Sequence, residues 1–168
     1  GTTFYSSGVD YFSGVFDGNH QPIRNLKFDN YDDAVGFFGS AYSAELYDVD
    51  FIAPDAEGYK QFGILCGYAE ASIIHNCTIT DMKMTAHRYG GGIVGYDSGS
   101  TITGCTVSGE ITGYEDYGDE SRCLGGIVGY GYNGTLVEDC RSEITIKKYL
   151  ASHKLSSLGG VVGSLGQG

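Results

Sequence analysis

The chain is poor in the features that mark several large classes of protein. Its 168 residues include 2 prolines, no tryptophan, and 10 basic residues against 21 acidic ones. The formal charge of -11 argues against a surface that binds nucleic acid or anionic lipid. No apolar run approaches the ~18 residues that a membrane span requires, and no signal-like segment opens the sequence. We therefore expect no nucleic-acid partner and no membrane span within this chain.

Glycine and aromatic residues are what the chain has in excess. Glycine accounts for 28 of the 168 residues, against a usual share of ~7%. Interior glycines cost a helix roughly 1 kcal/mol each relative to alanine, so helices should be scarce. The 14 tyrosines and 8 phenylalanines supply enough apolar area to form a core. The composition therefore predicts a folded all-β protein with many tight turns.

Two short motifs recur along the chain in a fixed order. A five-residue glycine motif aligns without gaps at 35–39, 63–67, 91–95, 125–129 and 159–163, and its last glycines are 28, 28, 34 and 34 residues apart. A second motif of the form I-x-x-C-x-I follows at 46–51, 74–79, 102–107 and 137–142. A unit of this size, with two or three short strands, buries its apolar face only by stacking on its neighbours.

The repeats predict a parallel β-solenoid, and the preference of parallel crossovers favours a right-handed β-helix. We expect about five to six coils, beginning near residues 12, 35, 63, 91, 125 and 159, as one fragment of a longer protein. The longer period of the last coils places two insertion loops, at 113–123 and 147–157, on the same side of the solenoid.

The first insertion loop contains the one candidate metal site. Its acidic side chains supply the hard oxygens that calcium prefers, and they are Glu115, Asp116, Asp119 and Glu120. The calcium-binding nonapeptide is absent, however, and a solvated acidic loop with no metal is the simpler interpretation. Basic residues of the second loop, among them Lys147 and Lys148, should be drawn toward this loop. We expect no cofactor.

The five cysteines are most simply explained as small buried hydrophobes. The repeat alignment places Cys77, Cys105 and Cys140 in one inward row, and Cys66 in a second row with Phe38, Val94, Val128 and Val162. A disulfide between Cys77 and Cys105 is the alternative, and it is disfavoured by the torsion of side chains stacked in register. Cys123, in the acidic insertion, is the thiol for which we expect exposure.

The repeat resembles a known family at the level of its motifs. The segment GGIVGYDSGSTITGCTV at 91–107, with a similar copy at 125–140, resembles the GLUG repeat, and FSGVFDGNHQPIRNL at 12–26 is similar to the segment that opens such arrays. The resemblance covers residues 12–168. It implies a large secreted or cell-surface bacterial protein with flanking domains, as in IgA-specific metallopeptidases and adhesin-like proteins. It implies an extracellular location and no catalytic residue.

Tyrosines recur immediately after the glycine motif. Tyr68, Tyr96 and Tyr130 each follow the last glycine of a repeat and should stack one coil apart. Stacked phenols either seal a turn or form a flat platform for sugar rings. Three further tyrosines, Tyr132, Tyr114 and Tyr117, are expected near this platform. The tyrosine row is therefore our candidate ligand-binding site.

No catalytic motif is present in the chain. The four histidines occupy unrelated repeat positions, and the G-x-G-x-x-G match at 129–134 precedes a predicted strand where a dinucleotide site needs a helix. We expect a non-catalytic stalk or display scaffold that binds a glycan or a protein of a host or cell wall. The alternative is a polysaccharide-cleaving β-helix that uses an acid pair, either Asp48 with Asp50 or Asp32 with Asp33.

Overall fold

The structure, a computed structural model, describes residues 11–30, 32–114, 122–148 and 157–167. All the regular structure in these residues is β-strand, and every strand pairing is parallel. The strands form four sheets that run along the molecule, and each passage of the chain adds to sheets I, II, III and IV in that order. The predicted all-β parallel solenoid is confirmed. Its handedness stays a prediction.

The strands of each sheet are as follows. Sheet I contains β1 (Val15–Asp17), β6 (Glu45–Tyr47), β11 (Ile73–His75), β15 (Thr101–Thr103) and β19 (Leu136–Glu138). Sheet II contains β2 (Ile23–Arg24), β3 (Lys27–Asn30), β7 (Asp50–Ile52), β8 (Asp55–Gly58), β12 (Thr78–Ala86), β16 (Thr106–Gly113) and β20 (Arg141–Lys148). Sheet III contains β4 (Ala34–Val35), β9 (Gln61–Gly63), β13 (Tyr89–Gly91), β17 (Cys123–Gly125) and β21 (Ser157–Gly159). Sheet IV contains β5 (Phe38–Tyr42), β10 (Cys66–Glu70), β14 (Val94–Ser98), β18 (Val128–Tyr132) and β22 (Val162–Leu165).

The sequence analysis expects two or three strands in each repeat, whereas the structure has four, or five in the first two coils, where the passage through sheet II is divided into two strands. The difference arises at the glycine motif, which does not form one strand. Its first glycine ends a strand of sheet III and its fourth residue begins a strand of sheet IV, as at Gly91 and Val94. The motif is therefore a corner of the coil, and its glycines let the chain turn between two sheets.

Residues at the same position in successive coils form columns, and the inward columns make the core. Leu46, Ile74 and Ile102 pair in sheet I and are fully buried. Cys66 pairs with Phe38 and Val94 in sheet IV, as the sequence predicts. Because alternate residues of a strand face opposite sides, each inward column is flanked by a column of outward side chains.

The residue before the cysteine of the second motif lies at the same turn, between sheets I and II, in successive coils. The conformation of this turn explains which residue types occur there. Its backbone is left-handed in four successive coils, with φ of 54° at Asp48 and Asn76, 62° at Gly104 and 51° at Asp139. Asparagine, aspartate and glycine tolerate this conformation better than other residues. The recurrence of Asn, Asp or Gly at this turn is thus a requirement of the backbone between sheets I and II.

The first coil departs by one residue from the gapless alignment. Val35 pairs with Phe62, and Gly36 occupies the position next to Gly63. Phe38 nevertheless pairs with Cys66, so this corner has one residue fewer than the corners that follow. Phenylalanines fill the space here, with the ring of Phe16 centred 5.2 Å from that of Phe38.

Candidate functional site

The tyrosines that follow the glycine motif lie in register on the outer side of sheet IV. Tyr68 pairs with Tyr96, and Tyr96 pairs with Tyr130. The ring centroids are 5.7 Å apart for Tyr68 and Tyr96, and 5.1 Å apart for Tyr96 and Tyr130. These residues point outward because Ala69, the residue next to Tyr68 on the same strand, is fully buried in the core. The three tyrosines thus lie one coil apart as predicted; the rings of Tyr68 and Tyr96 are stacked, and those of Tyr96 and Tyr130 are tilted by 35°.

Further tyrosines extend the row at both of its sides. Tyr42 lies 5.4 Å from Tyr68, and Tyr11 lies 4.8 Å from Tyr42, with both distances measured between ring centroids. Tyr89, at the start of β13 in sheet III, lies 5.4 Å from both Tyr96 and Tyr130. We call this surface the tyrosine face, and its members are Tyr11, Tyr42, Tyr68, Tyr89, Tyr96, Tyr130 and Tyr132.

The sequence analysis missed Tyr11, Tyr42 and Tyr89 because none of them lies in the repeat column. Tyr42 contacts Tyr68 of the adjacent coil along a diagonal of sheet IV. Tyr89 belongs to sheet III and contacts the tyrosines of sheet IV across the corner of the coil. That corner is tight at Gly95, where an added Cβ would lie 2.2 Å from the backbone nitrogen of Phe62 in sheet III. The glycine motif thereby brings aromatic residues of two sheets together. A tyrosine two residues before the motif is the signal that sequence reasoning could have used.

The tyrosine face has a simple charge pattern. The Tyr68 hydroxyl donates a hydrogen bond of 2.6 Å to Oε2 of Glu70. Burial, followed by this hydrogen bond, raises the pKa of Tyr68. Burial, followed by the neighbouring phenols of Tyr130, Tyr89 and Tyr132, raises the pKa of Tyr96. The phenols of Tyr68 and Tyr96 are therefore neutral near pH 7, and they offer apolar ring faces together with hydroxyl groups. The guanidinium of Arg88 lies 5.0 Å above the ring of Tyr89.

Tyr114 lies in a second aromatic column, at the end of sheet II. Its ring centroid is 4.7 Å from that of His87, which in turn is 5.4 Å from that of Tyr59. His87 is buried, and its Nε2 lies 3.4 Å from Oε1 of Glu57. The structure thus groups Tyr114 with His87, in contrast to the prediction that it helps the row around Tyr96. Tyr117 lies outside the described residues.

The acid pair Asp48 and Asp50 faces a histidine of the preceding coil. Nε2 of His20 lies 3.5 Å from Oδ1 of Asp48, and Nδ1 lies 3.3 Å from Oδ2 of Asp50. The two carboxylate side chains are 26% and 22% exposed, and Oδ1 of each is shielded from solvent without a hydrogen-bond partner. The other acid pair differs, because Asp33 is bridged to Lys60 at 2.5 Å.

A buried polar network crosses the turn between sheets IV and I, and the sequence analysis did not foresee it. Asp97 points into the core and is fully buried, and its Oδ2 accepts a 3.1 Å hydrogen bond from the Ser100 backbone nitrogen. The Ser100 hydroxyl accepts a hydrogen bond from the backbone nitrogen of Ser72, and the Ser72 hydroxyl accepts one from that of Ala44. Each of these side chains thus ties one coil to its neighbour.

All five cysteines are free thiols. Cys66, Cys77 and Cys105 are fully buried, whereas Cys140 in the last coil is partly exposed. The expectation that Cys123 is exposed is wrong, since it is 3% exposed. It belongs to β17, where it pairs with Tyr89, so the sheet and not the adjoining acidic insertion sets its environment.

The described residues contain no group of three or more histidine, cysteine or acidic side chains placed to hold a metal ion. The calcium candidate Glu115, Asp116, Asp119 and Glu120 lies outside the described residues. Lys147 of the second insertion pairs with Glu110 on the adjacent strand, at 2.5 Å. No described helix is long and apolar enough to span a membrane.

These features define a repeat protein: a parallel β-solenoid whose coils turn at a glycine motif and carry aromatic residues outside. Residues 120–147 match the family model described as the GLUG motif, and they cover β17, β18, β19 and most of β20. The chain therefore contains the GLUG motif that the sequence resembles. No curated protein and no solved structure matches the chain.

Proposed function

We propose that this chain is a non-catalytic repeat segment of a bacterial surface protein, and that its tyrosine face binds an uncharged glycan of a host or cell wall. The observation that carries the proposal is the row of stacked tyrosine rings on the outer side of sheet IV, with centroids 5.1 to 5.7 Å apart from Tyr42 to Tyr130. The GLUG motif at 120–147 supports a role as a repeat domain.

The chemistry of the tyrosine face favours a sugar ligand. The apolar faces of sugar rings stack on aromatic rings, and phenol hydroxyls exchange hydrogen bonds with sugar hydroxyls. The formal charge of -11 disfavours a polyanionic glycan. Aromatic rings repeated over several coils favour an extended chain over a single sugar, because each added contact raises the effective affinity.

Binding to a panel of immobilised uncharged polysaccharides tests the proposal. We expect Tyr96→Ala to weaken binding about tenfold or more, since Tyr96 contacts three rings of the face. Tyr47→Ala is the matched control, because Tyr47 stacks on His75 in sheet I. Equal binding by the two variants, or a wild-type chain that binds no member of the panel, would contradict the glycan proposal.

A second candidate function is polysaccharide cleavage at Asp48 and Asp50. The observation that favours it is the approach of His20 to both carboxylates, each of which keeps one oxygen without a hydrogen-bond partner. A pair of carboxyl groups is what hydrolysis of a glycosidic bond requires. Release of reducing ends by the wild type, lost in the Asp48→Asn, Asp50→Asn double variant, would establish this function in place of the first.

The proposed location is extracellular, as part of a longer polypeptide. The GLUG motif supports it, because the resemblance implies secreted and surface proteins. An antibody raised against the 168-residue chain should label intact cells that produce the full protein, and protease added outside those cells should remove the signal. Labelling only after lysis would contradict this location.

A further inference from the structure

Three tyrosines of sheet IV form what we call the tyrosine column, and they are Tyr68, Tyr96 and Tyr130. The closest pair in the column is Tyr96 with Tyr130, which pair directly between β14 and β18 and have ring centroids 5.1 Å apart. Two phenol rings that are bonded through one carbon of each have centroids only slightly closer than this. Both side chains are half-buried, so their rings are also open to small molecules in solution. The strands therefore hold the two rings in position for a carbon–carbon bond.

A proton acceptor lies at the first tyrosine of the column. Oε2 of Glu70 accepts the 2.6 Å hydrogen bond that the Tyr68 hydroxyl donates. Burial raises the pKa of Tyr68, so this phenol still carries its proton near pH 7. A phenol that loses an electron becomes a strong acid, and its oxidation is fastest where a base within hydrogen-bond reach takes the proton in the same step. Glu70 thus makes Tyr68 a favoured place for the loss of an electron.

The column connects this place to the closest pair. Tyr96 lies between Tyr68 and Tyr130, and its ring contacts both of the others. Neighbouring phenols in such contact exchange an electron. When the Tyr68 radical takes an electron from Tyr96, Tyr68 regains its proton from Glu70 and Tyr96 releases its own proton to water. A radical formed at Tyr68 is thereby passed to Tyr96 and on to Tyr130.

We propose that the tyrosine column is an oxidation site, at which hydrogen peroxide and a haem peroxidase oxidise Tyr68 and the product is a dityrosine bond between Tyr96 and Tyr130. Each phenol of the bonded pair loses one electron and one proton, and the two radicals join through the ring carbons next to the hydroxyl-bearing carbons. Each ring then moves the hydrogen of the joined carbon to its oxygen, which restores both hydroxyl groups. One hydrogen peroxide takes up the two electrons and two protons and leaves as two water molecules.

The bond would act as a covalent brace of the solenoid. Tyr96 and Tyr130 are 34 residues apart in the chain and lie in adjacent coils. A cross-link that closes a loop of this length restricts the unfolded chain, so the oxidised protein should unfold at a higher urea concentration than the untreated one. This inference is independent of the proposed glycan binding, because the reaction involves no sugar.

Treatment of the 168-residue chain with peroxidase and hydrogen peroxide, followed by mass spectrometry of tryptic peptides, tests the bond. We expect the peptide 89–122 to be joined to the peptide 123–141, with the loss of two hydrogen atoms. The yield should not depend on protein concentration, since both tyrosines belong to one chain. Dityrosine found mainly in dimers, with a yield that rises with protein concentration, would overturn the proposal.

Four variants locate the bond, since each of the two peptides contains more than one tyrosine. Tyr96→Phe and Tyr130→Phe should each remove the joined peptide, because phenylalanine keeps the ring and forms no phenoxyl radical. Tyr89→Phe and Tyr132→Phe are the matched controls within the same two peptides, and both should keep it. A joined peptide that survives in Tyr96→Phe or Tyr130→Phe, or a wild-type chain that forms no joined peptide, would overturn the proposal.

The initial rate of bond formation tests the part played by Glu70. Glu70→Gln keeps an acceptor for the Tyr68 hydroxyl but is a far weaker base, so it should slow the reaction at least about tenfold. Tyr68→Phe should slow it as well. Glu138→Gln is the control, because it removes one charge from an exposed position of sheet I and should react as fast as the wild type. Equal rates for Glu70→Gln and Glu138→Gln would overturn the role of Glu70 as the proton acceptor.

Discussion

The Thr135 hydroxyl donates a hydrogen bond to Oδ2 of Asp97, which lies one coil earlier and 38 residues away in the chain. Asp97 is fully buried, and its other oxygen, Oδ1, has no hydrogen-bond partner. Burial raises the pKa of Asp97, although hydrogen bonds from Ser100 and Thr135 offset part of this effect. The carboxylate thus ties two coils together at the cost of placing a charge in the core.

This arrangement predicts a specific dependence of stability on pH. Because the pKa of Asp97 is higher in the folded than in the unfolded chain, the protonated form stabilises the fold, and that contribution is full below the unfolded value of ~3.9. It is lost as pH rises through the folded pKa. The free energy of unfolding of the wild type, relative to Asp97→Asn, should therefore fall between pH 4 and pH 7 in urea titrations.

The control for this experiment is Asp29→Asn, which removes one charge from an exposed position. Any general effect of net charge appears in both variants and can be subtracted. A difference between wild type and Asp97→Asn that stays constant from pH 4 to pH 7 would show that the buried carboxylate does not couple to folding.

A second prediction concerns the glycines at the corner of the coil. Gly126→Ala should lower the free energy of unfolding by about 1–3 kcal/mol, because the new Cβ would collide with the carbonyl oxygen of Gly160 and the hydroxyl of Ser142. Gly160→Ala is the matched control, since nothing lies within 4 Å of its added Cβ. It should be neutral or stabilise by up to ~1 kcal/mol through the unfolded state. Equal urea midpoints for the two variants would show that contact between coils does not select glycine here.

The sequence predicts the columns of this fold because each column repeats one type of side chain. The pairing of Tyr68 with Tyr96, and of Cys66 with Val94, follows directly from the motif alignment. The one-residue difference at Gly36 could not be predicted, since Val35 aligns without a gap with the first glycine of the later motifs, yet in the structure it pairs with Phe62. Contacts across corners and diagonals, such as Tyr89 with Tyr96, depend on how tightly the chain turns and leave no periodic signal.

Burial of single side chains was also hard to predict next to the insertions. Cys123 follows a run of acidic residues, and the local composition indicates an exposed loop. Strand pairing decides otherwise, because Cys123 pairs with both Tyr89 and Ser157. Asp97 is the converse case, since a polar residue beside a turn lies inward where its neighbours in the column are Ala69 and Gly131.

The third prediction is a pattern of thiol reactivity in the 168-residue chain. Cys140 should react first with a maleimide, because the other four thiols are buried. The pKa of Cys140 is itself raised by its hydrogen bond with Cys105, so its exposure, and not its acidity, sets this order. Mass spectrometry of peptides after brief labelling should find the label at Cys140, and at all five cysteines only in denaturant. Labelling of Cys123 as fast as Cys140 would contradict its burial in sheet III.

The last prediction concerns the hydroxyl of Ser72, which is 2% exposed and joins two coils. This hydroxyl accepts a 3.1 Å hydrogen bond from the Ala44 backbone nitrogen and donates a 2.9 Å bond to the Glu70 carbonyl. Ser72→Ala leaves both backbone groups without this partner in a dry turn, so it should cost about 1–3 kcal/mol of unfolding free energy. Ser108→Ala is the control, because Ser108 accepts a hydrogen bond from the exposed Asp81 nitrogen, which water can replace. That variant should stay within ~0.5 kcal/mol of the wild type in urea titrations. Equal losses for the two serines would mean that the buried network adds no more to stability than a surface hydrogen bond does.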